Sequence, residues 1–233
     1  MSWKVKIKHR LNHAIPVSLV NRVLLTWPRL YKTKAINFET NLSATATREL
    51  LSQIGKVLSV EGNIIECGTA RAGATVIIAD FLKRANSKKL VYACDSFQGF
   101  DRDELQRERK AGWTIVEDDA FTHTSYEYVQ NKIKKLRFSE TVIPVRGFFQ
   151  DTLPKLDFNL CFGFIDCDLK ESLTYCAEFI WPRLSAGGRI VFDDYTCDYF
   201  LAARSAVDAF VEKHASETSE HGLLQELYYV CKK

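Results

Sequence analysis

A glycine-rich turn between an apolar strand and a helix is the feature that most constrains this fold. It spans Ile64 to Gly73, with the sequence Ile-Ile-Glu-Cys-Gly-Thr-Ala-Arg-Ala-Gly. The apolar residues at its start predict a buried strand, and those that follow Gly73 predict a helix. Glycines let the backbone of such a turn approach a ligand closely. The pattern is typical of a nucleotide-type pocket, although an ordinary strand-turn-helix unit has the same order.

The spacing of the glycines and the acid before them indicate which ligand suits this turn. Gly68 and Gly73 lie too far apart for the Gly-x-Gly-x-x-Gly pattern of dinucleotide-binding proteins. Glu66 precedes the first glycine, and its carboxylate would repel a pyrophosphate but attract a cation. S-adenosylmethionine carries a sulfonium and an ammonium group. We therefore expect S-adenosylmethionine at this turn.

Predicted strands alternate with predicted helices along the rest of the chain. The predicted helices are 44–57, 73–84, 125–136, 171–184 and 200–214, and the predicted strands are 63–67, 90–95, 141–146, 160–165, 189–192, 217–221 and 224–231. This alternation predicts an α/β fold with a mostly parallel, doubly wound sheet and helices on both faces. The last two strands have no helix between them and predict an antiparallel edge. Residues 185–188 are expected to form a turn, and the long polar connection 101–124 a lid or binding loop.

Five acids lie where four of these strands end. They are Glu66, Asp95, Asp166, Asp193 and Asp194. The carboxyl ends of parallel strands meet at one edge of a sheet, where ligands bind. Asp95 is placed to accept hydrogen bonds from ribose hydroxyls, and the last three aspartates offer the hard oxygen ligands that Mg²⁺ prefers. In the alternative interpretation, Asp193 or Asp194 accepts a hydrogen bond from a helix N-terminus.

Charge is unevenly spread along the 233 residues, whose net charge is +3. Residues 1–34 hold eight basic residues and no acid, whereas the remainder holds 24 basic and 29 acidic residues. We expect residues 1–40 to form a basic, partly helical extension that acts as a lid or dimer contact, and residues 41–233 to form the main domain. The arm could contact anionic lipid, nucleic acid or an anionic substrate, or could simply be solvated. We also expect a homo-oligomer.

Composition also bears on location. The chain has no apolar stretch long enough to span a membrane and no signal-peptide pattern, so we expect a cytoplasmic protein. Its seven cysteines are odd in number and form no Cys-x-x-Cys pair. They are therefore expected to be reduced thiols rather than disulfides or zinc ligands.

Five blocks occur in order and together resemble the macrocin O-methyltransferase family, whose members are Mg²⁺-dependent enzymes that methylate sugar hydroxyls of natural products. The blocks are Glu66-Cys-Gly-Thr-Ala-Arg-Ala-Gly73, Asp95-Ser-Phe-Gln-Gly99, Gly147-Phe-Phe-Gln-Asp-Thr-Leu-Pro154, Asp166-Cys-Asp-Leu169 and Arg183-Leu-Ser-Ala-Gly-Gly-Arg-Ile-Val-Phe-Asp-Asp-Tyr195. The resemblance covers roughly residues 40–230. It implies the class I methyltransferase fold, a Rossmann-like sheet of seven strands.

The resemblance also implies a set of site residues. S-adenosylmethionine would be bound by Glu66, Gly68, Thr69, Ala72, Gly73, Asp95, Ser96, Phe97, Gly147, Phe148, Phe149 and Asp166. The family pattern assigns Mg²⁺ to Asp166, Asp193 and Asp194. For the general base it implies a histidine in the long connection, and His123 lies in that region; Asp166 is the alternative.

Two departures from the family pattern lie on the acceptor side. Cys167 replaces a glycine and Lys170 replaces a tyrosine. The resemblance therefore does not identify which sugar is methylated. The predicted function is Mg²⁺-dependent O-methylation of a sugar or glycoside, on a natural product or a glycan. A catechol-like or other small-molecule acceptor is the alternative. A nucleic-acid methyltransferase is less favoured, because the chain after residue 34 is net acidic.

Overall fold

The computed structural model describes residues 39–233, which form a seven-stranded sheet with the order β3-β2-β1-β4-β5-β7-β6. The strands are β1 (Asn63–Cys67), β2 (Val91–Asp95), β3 (Val142–Arg146), β4 (Leu160–Ile165), β5 (Leu184–Phe192), β6 (Thr218–Leu223) and β7 (Tyr228–Lys232). The first five are parallel, and β7 runs antiparallel to both β5 and β6. The predicted doubly wound sheet with an antiparallel edge is confirmed.

Helices cover both faces of the sheet. They are α1 (Ala44–Lys56), α2 (Gly73–Arg84), α3 (Arg102–Lys110), α4 (Tyr126–Lys135), the single turn α5 (Phe149–Thr152), α6 (Lys170–Arg183) and α7 (Leu201–Lys213). One buried apolar cluster joins α1, α2 and α4 to the sheet, and a second joins α6 and α7 to its other face. Among the described residues, no helix has both the length and the apolar character needed to cross a bilayer.

Strand order reverses direction between β1 and β4, and this places the site. The chain moves outward from β1 to β2 and β3 on one side, and from β4 to β5 on the other. Cys67 at the end of β1 pairs with Ile165 at the end of β4. Gly68 and Asp166 therefore leave the sheet side by side at the switch point, where ligands of such folds bind.

The connection 101–124, which was predicted to be a lid or binding loop, contains the helix α3, which was not predicted. Asp101 caps α3 by accepting a hydrogen bond from the Glu104 amide at 2.9 Å. The helix was missed because α3 has only one apolar residue, Leu105, and so lacks the apolar stripe that marks a helix in sequence. The lid or binding role of the connection stays a prediction.

The predicted turn at 185–188 is also wrong, since these residues belong to β5. Leu184 already pairs with Leu160, and the register then shifts so that Arg189 pairs with Phe162. The extra residues on β5 are taken up as an irregularity in which Gly187 has a φ of +76°. The last strand also begins later than predicted, because residues 224–227 form the hairpin turn before β7.

The predicted N-terminal extension, residues 1–40, lies outside the described residues except for Glu39 and Thr40. The lid, the dimer contact and the membrane contact assigned to that segment stay predictions, as do the homo-oligomer and the cytoplasmic location. All seven cysteines fall within the described residues, where six are buried and none is bonded to another.

Two glutamates of α3 cap the start of α6 from outside that helix. Leu169, the residue before α6, provides no side-chain cap. Instead Glu104 accepts hydrogen bonds from the Ser172 amide at 3.0 Å and the Ser172 hydroxyl at 2.6 Å. Glu108 accepts from the Lys170 amide at 2.6 Å. The connection after β2 is thus fastened to the helix that follows the Asp166 loop.

Removing one of these caps should destabilise the protein. Glu104→Ala leaves the amide and hydroxyl of Ser172 buried without their acceptor, which costs about 1–3 kcal/mol of unfolding free energy. Urea unfolding measures this loss, with Gln106→Ala as the control because Gln106 is exposed on the same helix. Equal stability of the two variants would show that α3 does not cap α6.

Candidate active site

The turn after β1 packs directly against the acidic loop after β4. A Cβ atom on Gly68 would lie 1.7 Å from the carbonyl oxygen of Asp166, and Gly68 has a φ of +94°. The Asp166 amide donates to the carbonyl of Cys67 at 2.9 Å. Only glycine permits this approach. The turn formed by residues 68–72, called the cofactor turn below, therefore lies next to the aspartates predicted to bind a metal.

The turn itself takes its shape from alanines as well as from glycine. Ala70 and Ala72 have φ values of 44° and 58°, in the left-handed region that glycine usually occupies. Gly73 begins α2 as predicted, but it is required for another reason. A Cβ atom on Gly73 would lie 2.5 Å from the carbonyl oxygen of Glu39. Thr69, which is buried, accepts the Ala72 amide on its carbonyl at 2.8 Å and closes the turn.

Asp95 links the glycine turn to the end of β2. Its carboxylate accepts hydrogen bonds from the Ala70 amide at 2.7 Å and the Phe97 amide at 2.6 Å. Burial raises the pKa of Asp95, and these amide bonds oppose the rise. Ser96 is buried and donates to the carbonyl of Gly99 at 2.7 Å. Asp95 and Ser96 therefore lie at the predicted edge of the sheet. Some of their hydrogen-bonding capacity is already used to hold together the turns that follow β1 and β2.

Glu66 is buried beneath the turn, with 1% of its surface exposed. The Thr75 hydroxyl, one turn into α2, donates to its carboxylate. Burial raises the pKa of Glu66 to about 8; the Thr75 bond opposes this, and the nearby charge of Asp95 adds to it. Without a ligand the carboxyl is therefore largely protonated at neutral pH. A bound cation would favour its ionised form.

Three aspartates converge where β4 and β5 end. Carboxylate oxygens of Asp166, Asp193 and Asp194 all lie within 4.8 Å of one another. Burial raises the pKa of Asp166 well above its ordinary value, and the charges of Asp193 and Asp194 raise it further. Crowded, partly desolvated carboxylates of this kind suit a divalent cation that prefers oxygen ligands. Asp194 also accepts a hydrogen bond from the Asp168 amide at 3.1 Å, but Asp168 precedes α6, so this is not the bond to a helix N-terminus that the alternative interpretation predicted.

Asp168 lies next to these three aspartates, although the sequence analysis gave it no role. Burial raises its pKa well above the usual range, and the charges of Asp194 and Asp166 contribute. Its φ of +66° is unusual for a residue other than glycine. Its place in the sequence could have indicated a role, because Asp168 lies two residues after Asp166 at the end of the same strand.

The residues after β3 lie at the same edge. The Gly147 amide donates to the carbonyl of Asp95 at 2.9 Å, and Gly147 has a φ of +136°. Phe148 and Phe149 follow and are partly buried, while Phe97 is buried with its ring 5.5 Å from that of Tyr126. These aromatic residues border the part of the edge where the adenine was predicted.

His123 lies in the connection between α3 and α4 and is exposed. Its neighbour Thr124 donates from its hydroxyl to the carbonyl of Ala70 at 3.3 Å, which brings this connection onto the cofactor turn. Among the described residues, the group of side chains that could hold a metal ion consists of Asp166, Asp193 and Asp194 and does not include His123. Its role as general base stays a prediction.

A cavity of about 190 Å³ adjoins the aspartates on the side of β5. It is lined by Asp193 and Asp194, by Asn41 and Ser43 at the start of α1, and by Glu226 in the turn before β7. The Ser43 hydroxyl donates to the Glu226 carboxylate at 2.6 Å. A larger cavity of about 660 Å³ lies at the opposite end of β1, away from these acids.

Comparison with known proteins places this chain among methyltransferases. The model of the macrocin O-methyltransferase (TylF) family matches residues 44–221, which is most of the chain. The chain belongs to the macrocin O-methyltransferase family. The membership predicted from the sequence blocks is thereby confirmed.

Two curated relatives are named as O-methyltransferases, and the name of the first includes a rhamnosyl group. The chain is 30% identical over 156 residues to the 8-demethyl-8-(2,3-dimethoxy-alpha-L-rhamnosyl)-tetracenomycin-C 4'-O-methyltransferase of Streptomyces olivaceus, covering 64% of this chain and 57% of the relative. It is 27% identical over 161 residues to the mycinamicin III 3''-O-methyltransferase of Micromonospora griseorubida, covering 66% and 62%. The chain thus spans less than two thirds of the length of these relatives.

A solved structure confirms the predicted fold class. The O-methyltransferase NovP superimposes with a TM-score of 0.74 at 21% identity, covering 93% of this chain and 98% of NovP. At that identity the likeness concerns the fold.

The raised pKa of Glu66 predicts a pH dependence of stability for the ligand-free protein. The folded state holds the Glu66 proton to about pH 8, whereas the ordinary pKa is 4.5. The folded state therefore binds more protons than the unfolded state between these values, and the contribution of Glu66 to stability falls as pH rises through them. Glu66→Gln keeps an acceptor for Thr75 but cannot ionise, so its unfolding free energy should fall less between about pH 5 and pH 8.

Urea unfolding at several pH values tests this, with Glu61→Gln as the control because Glu61 is exposed. Parallel curves for wild type and Glu66→Gln would contradict the assignment.

Proposed function

We propose that this protein transfers a methyl group from S-adenosylmethionine to a hydroxyl of a sugar or glycoside, with the help of Mg²⁺. The observation that carries the proposal is the contact between the Gly68 turn and the Asp166 loop, with three carboxylates converging beside it. Membership of the macrocin O-methyltransferase family supports it. A methyl donor at the turn and an acceptor at the aspartates would then be neighbours.

The cofactor would occupy the edge formed by the turns after β1, β2 and β3. Glu66 and Asp95 supply negative charge for the sulfonium and ammonium groups, and Asp95 retains capacity to accept from ribose hydroxyls. Gly68 gives the backbone room, and Phe97 and Phe148 supply apolar surface for the adenine. The burial of Glu66 supports a cationic ligand, because a buried acid gains most from a cation that it can neutralise.

The residues present fit a divalent cation. Asp166, Asp193 and Asp194 would hold it, with water or acceptor oxygens completing the coordination. When bound, Mg²⁺ would act as a Lewis acid that lowers the pKa of an acceptor hydroxyl. Asp166 or His123 would accept the hydroxyl proton.

The chain would contribute mainly by orienting the two substrates. Alignment of two bound reactants can supply roughly 7–11 kcal/mol of the barrier reduction. The connection 101–124, whose last residue Thr124 contacts the cofactor turn, would help to exclude water from the edge. The cavity lined by Asn41, Ser43 and Glu226 offers polar groups to a hydroxylated acceptor. The rhamnosyl group in the name of the tetracenomycin relative supports a glycoside as that acceptor.

Binding of S-adenosylhomocysteine, the demethylated cofactor, tests the cofactor assignment. Calorimetric titration into the metal-free protein should give a measurable affinity, which Asp95→Ala should weaken by at least about tenfold because it removes an acceptor of charge-assisted bonds. Asp151→Ala serves as the control, since Asp151 is exposed. Circular dichroism establishes that each variant is folded. Failure of the wild type to bind would overturn the methyltransferase proposal.

Metal binding is tested separately from activity. Mn²⁺, a paramagnetic substitute for Mg²⁺, should bind the wild type, and Mg²⁺ should displace it. Asp193→Asn should weaken Mn²⁺ binding by at least about tenfold, because the affinity of such sites depends on the charge of the ligands. Electron paramagnetic resonance measures free Mn²⁺, with Asp198→Asn as the exposed control. Unchanged Mn²⁺ binding in Asp193→Asn would contradict the metal site.

A further inference from the structure

A fully buried lysine lies behind the cofactor turn. Lys132 of α4 exposes none of its side chain, and its ammonium donates hydrogen bonds to the carboxylate of Glu39 and to the carbonyl of Arg71. Glu39 also accepts from the Arg71 guanidinium at 2.8 Å and from the Tyr128 hydroxyl at 2.7 Å. These four residues form a polar cluster that joins α4, residue 39 and the turn, with Lys132 and Glu39 buried and Arg71 and Tyr128 partly buried.

The turn needs such contacts to keep its shape. Ala70 and Ala72 both have left-handed backbone, which costs free energy in residues that carry a Cβ atom. The carbonyl that Lys132 holds belongs to Arg71, the residue between them. The Asp95 carboxylate accepts a hydrogen bond from the Ala70 amide, and the Thr124 hydroxyl donates one to the Ala70 carbonyl. The conformation of the turn is therefore fixed by side chains from distant parts of the chain.

Stability alone does not account for a charge in this position. Desolvating an ion pair costs free energy, and well-packed apolar side chains in its place are often neutral or stabilising. Helix α4 already packs on the core through Val129 and Ile133, which are buried. The positive charge of Lys132 also opposes the rise in the pKa of Glu66. What Lys132 adds is a donor aimed at the backbone of the cofactor turn.

We propose that Lys132, with its charge balanced by Glu39, is a positioning residue of the cofactor site. By holding the carbonyl of Arg71, it keeps residues 68–72 in the shape that receives S-adenosylmethionine. Lys132 acts through the turn and does not itself contact the cofactor. The inference rests on the proposed function, because it concerns the same cofactor.

Titration with S-adenosylhomocysteine tests this role. Lys132→Met fills the same space but cannot donate, so the dissociation constant should rise by about tenfold, the effect of losing one bond from a charged donor. Lys134→Met is the matched control, because Lys134 is exposed on the same helix and its loss removes the same charge. Its affinity should equal that of the wild type.

Two further variants separate positioning from stability. Ile133→Ala removes buried apolar contacts next to Lys132, so it should lower the melting temperature without changing the dissociation constant. The double variant Lys132→Met with Glu39→Gln removes both buried charges. It also removes the carboxylate that still pairs with Arg71 in Lys132→Met, so its melting temperature should fall below that of Lys132→Met, while the dissociation constant stays near that of Lys132→Met.

The outcomes are distinguishable. If the wild type does not bind S-adenosylhomocysteine, the proposed function fails and this inference fails with it. If the wild type binds and Asp95→Ala does not, but Lys132→Met binds as the wild type does, the positioning role alone is overturned. It is also overturned if affinity follows the melting temperature across Lys132→Met, Ile133→Ala and the double variant.

Discussion

The contact between Gly68 and the backbone of Asp166 is the constraint on which the rest of the site depends. β1 and β4 are paired neighbours at the point where the strand order reverses, and the chains that leave them have no room for a side chain between them. The turn, which suits a cationic cofactor, and the loop that carries the oxygen ligands are therefore in direct contact. No further loop is needed to bring them together.

Buried negative charge is the second organising feature. Glu66, Asp166, Asp168 and Asp194 all have pKa values raised chiefly by burial, so ionising these acids in the ligand-free protein costs free energy. Each of these groups would become a better acceptor when a cation arrives. A methyl donor with a sulfonium and a divalent metal are both cations. The same electrostatic arrangement can thus serve the cofactor and the metal.

Sequence patterns predicted the parts of the structure that depend on local order. Apolar strands that end on acids gave the sheet and the edge on which Glu66, Asp95 and the aspartates lie. Patterns did not predict α3, because its single apolar residue leaves no stripe and its glutamates are satisfied by Lys170 and Ser172, more than 60 positions away. They also did not predict that alanines would take left-handed backbone in the turn. That conformation is imposed by contacts with Asp95, Thr124 and Lys132, which no local pattern contains.

Helix α6 begins without a cap of its own and takes its caps from α3, and this has a consequence for engineering. The connection after β2 would be a natural segment to exchange between relatives. In this chain that segment also caps the first turn of the helix that follows Asp166 and Asp168. A transplanted connection that lacks Glu104 and Glu108 would leave the amides of Lys170 and Ser172 without their acceptors and so disturb the acidic loop that precedes them. The connection after β2 and the acidic loop after β4 are therefore coupled in this protein and should be exchanged together.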